Sequence, residues 1–236
     1  MCTLTYRLTE IGYELFFNRD EQHSRSQAHA PKMDKQLNAL YPIDPLGKGT
    51  WIAVHQSGLS LALLNYYQAQ KNRVSGKFKS RGEIILKLLE KAPNVITVLK
   101  TMPLHIYQPF QLCLFPSDLT LSNQKPRYFQ WDGIHLTESE KTLPITSSGV
   151  DYPQVYQARK ITFKQMVDAN NPTSKQLLNY HQSQQQEGKL SVKMSRSDAQ
   201  TVSLSCICVS ETVEFRYIDY LDKQRYLVSF HTNFTN

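Results

Sequence analysis

Residues 1–22 read MCTLTYRLTEIGYELFFNRDEQ. From residue 2 to residue 8 the side chains alternate. Cys2, Leu4, Tyr6 and Leu8 fall on one face and Thr3, Thr5 and Arg7 on the other, the period of a half-buried strand. Thr9-Glu10-Ile11-Gly12 supplies a short turn, with Gly12 free to take positive φ, and residues 13–17 form a second, aromatic-rich strand. A hairpin centred near Glu10-Ile11 pairs residues whose numbers sum to about 21. Cys2 then lies opposite Arg19, beside Asp20. The pattern predicts a thiol, a guanidinium and a carboxylate at one hairpin end, with the chain start tied into a sheet instead of fraying.

Outward from the hairpin, residues 22–47 read as an irregular loop carrying Pro31, Pro42 and Pro45. Residues 51–54 and 59–66 are strands about a Gln56-Ser57-Gly58 turn. A basic stretch follows, with Lys71, Arg73, Lys77, Lys79 and Arg81 around Phe78. It reads either as a solvated loop or as a rim attracting an anionic ligand. Ser80 and Glu83 make a capping box for a helix through Ile84, Ile85, Leu88 and Leu89, ended by Pro93. Strands are expected at 110–115 and 128–131, helices at 155–167 and 174–184 joined by Asn170-Asn171-Pro172, and strands near 190–195, 200–209, 212–219 and 225–231. Strands, helix, strands, helices, strands is the order of an α+β fold whose sheets are covered by helices. No repeat and no linker divides the chain, so residues 1–236 read as a single domain.

Hydrophobic residues make up 40% and charged residues 20%, enough for a sizeable core. The net charge of +7 (27 basic minus 20 acidic) favours anionic partners but is modest for a nucleic-acid binder, and no nucleic-acid motif is present. The cysteines are Cys2, Cys113, Cys206 and Cys208. Without a CxxC pair or an HExxH helix, a structural zinc site or a zincin site is not expected. Cys206 and Cys208 should share one strand face as buried thiols. No histidine has an evident partner; His23 and His29 flank Arg25 and are candidate cleft residues. No leader pattern and no apolar run near ~20 residues is visible, so a soluble cytoplasmic protein with no membrane span is the expectation.

Removal of Met1 is expected because Cys2 is small. The product would carry a thiol and an α-amine on one residue, with reference pKa values of about 8.5 and about 7.7–8.0. A neighbouring guanidinium can bring a thiol down to about 3.5–7.5. The amine can then move a proton for its own side chain, as in other N-terminal nucleophiles. Asp20 is placed to hold the α-ammonium, and Arg19 to stabilise the thiolate or bind a substrate carboxylate. The plainer alternative is an incidental Cys2 with Arg19-Asp20 as a surface ion pair.

Asn18-Arg19-Asp20-Glu21 behind Met1-Cys2 resembles the NRDE family, which includes the transport-and-Golgi-organisation proteins. Gly49-Thr50-Trp51-Ile52-Ala53, Leu63-Leu64-Asn65-Tyr66 and Ser80-Arg81-Gly82-Glu83 resemble further motifs of that family, in order, clearly over residues 2–90 and more weakly beyond. The resemblance implies an N-terminal nucleophile hydrolase-like fold, a four-layer αββα sandwich. Its strand ends also look like those of cysteine acylases. On that likeness Cys2 is the nucleophile, with Arg19 and Asp20 beside it. Asn65 and the Tyr66 backbone N–H hold an oxyanion, and Asn18 and Trp51 line the substrate. The acylase Asn-Asn-Pro is not matched in place: residues 170–172 read as a connector between helices. The equivalent strand end falls at Thr146-Ser147-Ser148-Gly149, offering Ser147 and Ser148. Arg159 and Arg196 could reach the site from a helix and a late strand, though each also reads as a solvated surface arginine.

The implied activity is hydrolysis of a linear, non-peptide amide through a thioester, with a small, anionic molecule as the fitting ligand and no metal or cofactor expected. The alternative implied by the family is a non-catalytic protein handling haem, acyl-CoA or lipid in the same cleft. Haem enters by that association alone.

Overall fold

The computed structural model describes residues 1–72 and 78–232. The opening hairpin forms as its alternation requires. β1 (Cys2–Thr9) and β2 (Gly12–Gln22) pair antiparallel, with Cys2 opposite Arg19, Leu4 opposite Phe17 and Tyr6 opposite Leu15. β2 runs well past Phe17, so Asn18-Arg19-Asp20-Glu21 lies within a strand and not after one.

The chain continues through β3 (His29–Asp34), β4 (Ala39–Ile43), β5 (Ile52–His55), β6 (Ser60–Asn65), α1 (Gly82–Leu89), α2 (Val95–Thr101), β7 (Phe110–Phe115), β8 (Arg127–Trp131), β9 (Leu136–Glu138) and β10 (Ile145–Ser147). It closes with α3 (Tyr152–Met166), α4 (Ser174–Gln182), β11 (Ala199–Val209), β12 (Thr212–Asp219) and β13 (Arg225–His231). A six-stranded sheet runs β10-β1-β2-β11-β12-β13 and a seven-stranded sheet runs β3 to β9 in sequence order. All the strand pairs are antiparallel.

Period-two alternation decides the layers. Leu4, Leu15 and Phe17 point between the sheets, where they meet Ile52, Leu64 and Phe115. Phe16, one residue out of phase, points the other way and packs on Phe163, Leu177 and Tyr180 of α3 and α4. On the far side, α1 and α2 place Ile84, Ile85, Leu88 and Leu99 on Ala53, Leu61 and Leu63. Each such side chain contributes about 1.5–3 kcal/mol when fully buried. The result is the αββα order.

Several expectations need correction. Residues 22–47 are not a structureless loop, since they hold β3 and β4. Their prolines are tolerated because β3 is an edge strand whose register shifts between His29 and Lys32, around Pro31. Pro42 lies beyond the two residues of β4 that pair with β5. Residues 190–195 are not a strand; a 3-10 turn at Gly188–Leu190 is followed by one bridge, Ser195 to Gln200. The α1 helix forms, but Arg81 is its N-cap and no side chain caps it, so the Ser80/Glu83 box is absent. A capping box does occur on α4, between Thr173 and Gln176. Cys206 and Cys208 share a face but are half-buried. No helix among the described residues is long and apolar enough to cross a membrane.

One buried group makes the fold pH-dependent. His181 of α4 is 0% exposed, stacks on Phe16 at 5.9 Å and shares a 2.8 Å hydrogen bond with Thr5. Burial, helped by the Arg159 charge, pushes its pKa from the ordinary 6.5 down to about 3. The unfolded chain therefore binds a proton below 6.5 that the native chain refuses until about 3. Stability is full above the first value and falls as pH drops, by up to about 1.4 kcal/mol per unit. His181→Gln should shrink the loss between pH 7 and pH 5 by about 2 kcal/mol, read from urea midpoints. An identical loss in both proteins would refute the assignment.

Candidate active site

The first residue of β1 is held on both sides. Cys2 pairs with Arg19 of β2 and with Ser147 of β10. Directly opposed residues share a sheet face, so thiol, guanidinium and serine hydroxyl are set on the side facing the second sheet. There the ends of β1, β2 and β6, the 44–51 loop and the start of α1 enclose a polar cleft of about 550 Å³. Cys2, Arg19, Trp51, Asn65 and Tyr67 line it, together with Met1.

The same alternation turns two expected side chains away from the thiol, although Asp20 still lines the cleft. Asn18 and Asp20 are one step out of phase with Arg19 and turn their side chains to the helical layer. Asn18 is fully buried, donates to the carbonyls of His181 (2.8 Å) and Val192 (3.0 Å), and does not line the cleft. The Asp20 carboxylate accepts from Arg159 (3.2 Å) and Thr201 (2.6 Å) and not from an α-ammonium. Only the Asp20 backbone meets Met1: its N–H donates to the Met1 carbonyl at 3.0 Å, and its carbonyl accepts from the Met1 amine at 3.4 Å. Arg159 is not a surface residue. It is 0% exposed, paired with Asp20 and hydrogen-bonded to Thr3, and stands behind the cleft without lining it. Arg196 is half-buried, paired with Asp198, and lies outside the cleft.

Arg19 is tightly engaged. Its guanidinium lies 4.4 Å from the Trp51 ring centroid and pairs with Glu21 (3.2 Å) and Asp44 (3.5 Å). Arg25 bridges Asp44 and Glu21 in turn. Burial raises the Asp44 carboxyl, but the Arg25 hydrogen bond and charge outweigh it, so the carboxyl falls below its usual range. With Arg19 neutralised this way, its effect on Cys2 is small. Burial pushes the Cys2 thiol up, against the pull of the terminal ammonium. The expected depression of the thiol therefore does not occur in the chain that carries Met1.

Met1 sits in the cleft with its sulfur 2.7 Å from the Ser148 hydroxyl. Ser147 is fully buried and donates to the Asn65 carbonyl at 2.7 Å, tying β10 to β6 across the sheets. Asn65 points its amide into the cleft and donates to the Tyr67 hydroxyl at 2.7 Å. The Tyr66 N–H is unavailable: it donates to the Pro109 carbonyl at 3.1 Å, and Tyr66 is absent from the cleft wall. His23 contacts the Arg196 carbonyl at 3.1 Å, and neither it nor His29 lines the cleft. Of the basic stretch, Lys79 and Arg81 line the cleft, while the side chains of Lys71, Arg73 and Lys77 lie outside the described residues.

Sequence reasoning missed Tyr67, Asp44 and the role of Arg25. Asp44 had a readable signal: in Asp44-Pro45-Leu46-Gly47 its carboxylate accepts from the Leu46 and Gly47 N–H groups (3.1 and 3.3 Å), an Asx turn. Two glycines explain why separate motifs meet at one wall. A Cβ on Gly49 would stand 2.3 Å from the Gly82 carbonyl carbon, and the Thr50 N–H donates to the Gly82 carbonyl at 3.2 Å. Gly49→Ala should cost about 1–3 kcal/mol in urea unfolding, because backbone must move; an unchanged midpoint would contradict this contact. No group of three metal-ligating side chains occurs among the described residues.

The family profile described as Transport and Golgi organisation 2 matches residues 1–226. No curated protein is significantly similar in sequence. Among solved structures, the Caenorhabditis elegans N-acylethanolamine-hydrolyzing acid amidase ortholog superposes with a TM-score of 0.54. The match spans 88% of this chain and 92% of that one at 9% identity, which establishes the fold alone.

Proposed function

The chain belongs to the Transport and Golgi organisation 2 family and has the N-terminal nucleophile hydrolase fold, and from that premise we propose that it is an N-terminal cysteine amidohydrolase acting on a linear, non-peptide amide. The observation that carries this reading is the placement of Cys2 at the head of β1, between Arg19 and Ser147, in the polar cleft. The structural neighbour is an amidase by its title, which agrees with the reaction class.

Loss of Met1 uncovers Cys2 and leaves an α-amine on the same residue. The amine takes the thiol proton, and the thiolate attacks the amide carbonyl carbon. The Asn65 amide donates to the resulting oxyanion. The C–N bond breaks as the leaving nitrogen takes the proton back from the α-ammonium, leaving a thioester on Cys2. Water then attacks the thioester, the carboxylic acid departs and the thiol is restored. Arg19 and Arg25 are matched by Glu21 and Asp44, so the charge that favours an anionic group on the substrate comes from Lys79 at the cleft wall. Asp20, locked by Arg159 and Thr201, is a positioning residue that holds the end of β2.

Intact-mass analysis of the purified chain tests the reading. The expected result is loss of one methionine and a covalent acyl adduct that Cys2→Ala abolishes. Full retention of Met1 sinks the mechanism. A second reading draws on the covered, raised thiol: with Met1 retained, the cleft serves as a pocket for an anionic ligand such as an acyl-CoA. Ligand binding indifferent to Cys2→Ala, with no turnover, would favour it.

A further inference from the structure

The oxyanion site just described has one donor where such sites commonly pair two. The backbone N–H expected to complete it, that of Tyr66, is held by Pro109. The next side chain along takes its place in space. Tyr67 opens the 3-10 turn Tyr67–Asn72 and brings its hydroxyl oxygen within 2.7 Å of the Asn65 amide nitrogen, inside the cleft that Cys2 enters.

Resting on the amidohydrolase reading, we propose that the Tyr67 hydroxyl is the second oxyanion donor and works as a pair with the Asn65 amide. The hydrogen-bond inventory supports it. Asn65 donates and Tyr67 accepts, so the hydroxyl keeps its own proton to give. Among the described residues no acceptor takes that proton, whereas the buried hydroxyls of Tyr13, Tyr128 and Tyr180 donate to Gly58, Gln111 and Arg159. The second hydrogen of the Asn65 amide is likewise not used elsewhere. An oxygen arriving between the two can take a hydrogen from each once the Asn65 amide releases its bond to Tyr67.

The ring is held in place. The Gly149 backbone lies against its face so closely that a Cβ there would stand 3.3 Å from the ring, and Gln68 anchors the same turn by donating to the Ser148 carbonyl at 3.1 Å. Burial, with the nearby Cys2 thiolate adding to it, raises the Tyr67 pKa over the opposing Asn65 hydrogen bond, so the phenol stays protonated at neutral pH.

The test uses full-length chain with Met1 removed and two reagents on the same thiol. With p-nitrophenyl acetate, Cys2 sulfur bonds to the acetyl carbon, p-nitrophenolate leaves, and an oxyanion forms on the way. With iodoacetamide, sulfur displaces iodide directly and no oxyanion forms. Tyr67→Phe should slow acetylation about 10²–10³-fold, while leaving alkylation unchanged. Equal acetylation by wild type and Tyr67→Phe, with Cys2→Ala silent, overturns the Tyr67 role but not the nucleophile. A matched loss in both reactions also overturns it, because the hydroxyl would then be shaping the thiol's surroundings. If wild type forms no acetyl adduct at Cys2, the amidohydrolase reading falls and takes the Tyr67 role with it.

Discussion

Arg159→Leu is expected to lower stability by about 3–5 kcal/mol, because it strands the Asp20 carboxylate in a site without solvent. For a chain of this size that corresponds to a fall in Tm of about 6–20 °C. The pair spans 3.2 Å with both side chains at 0% exposure. Thr201 would still donate to Asp20, but one hydroxyl does not offset a buried charge. The origin of the loss can be separated from simple loss of packing. Adding Asp20→Asn removes the stranded charge, and the double variant should recover much of the difference, since removing both partners costs far less than removing one. Calorimetry that finds Arg159→Leu as stable as wild type, or the double variant worse than the single, would contradict the account. The same substitution should loosen the end of β2, so Cys2 reactivity should fall along with stability.

An uncleavable N-terminal extension that keeps Met1 attached should reduce acyl transfer at Cys2 by about 10²–10⁴-fold, the usual contribution of a positioned acid–base group. Three physical effects act together. The nitrogen of Cys2 stays in a peptide bond and cannot accept the thiol proton. Burial raises the thiol, and an extension carries away the terminal ammonium that pulls it down. Met1 itself lines the cleft that a substrate would enter. The measurement is the rate of adduct formation for the extended and the processed chains against one activated ester. Comparable rates would mean that the α-amine does no proton transfer, and the N-terminal nucleophile reading would fail even with a reactive Cys2.

The two expectations draw on different parts of the fold, and they differ in how far residues alone reveal them. Cys2 opposite Arg19 follows from alternation and a short turn, both local. Asp20 facing away from the thiol follows from the same alternation carried one residue further. The burial of Arg159 does not: its helix is only weakly amphipathic in sequence, and the carboxylate that accepts it lies 139 positions away. The β3–β4 hairpin was hidden by its prolines, which an edge strand with a shifted register accommodates. Tyr66 and Tyr67 are adjacent and chemically identical in sequence. Which one serves the cleft depends on where Pro109 sits, across the sheet from them.

By itself the sequence determined the opening hairpin, its register and the family resemblance, because strand period, turn residues and short motifs act over a few neighbouring positions. Only the tertiary structure decided which charges are satisfied and which donors remain available. Arg19 is quenched by Glu21 and Asp44, Asp20 is claimed by Arg159, and the Tyr66 N–H is held by Pro109. Each outcome depends on burial and on partners contributed by distant strands, loops and helices, and electrostatics in a closed cleft is set by such partners and not by spacing along the chain.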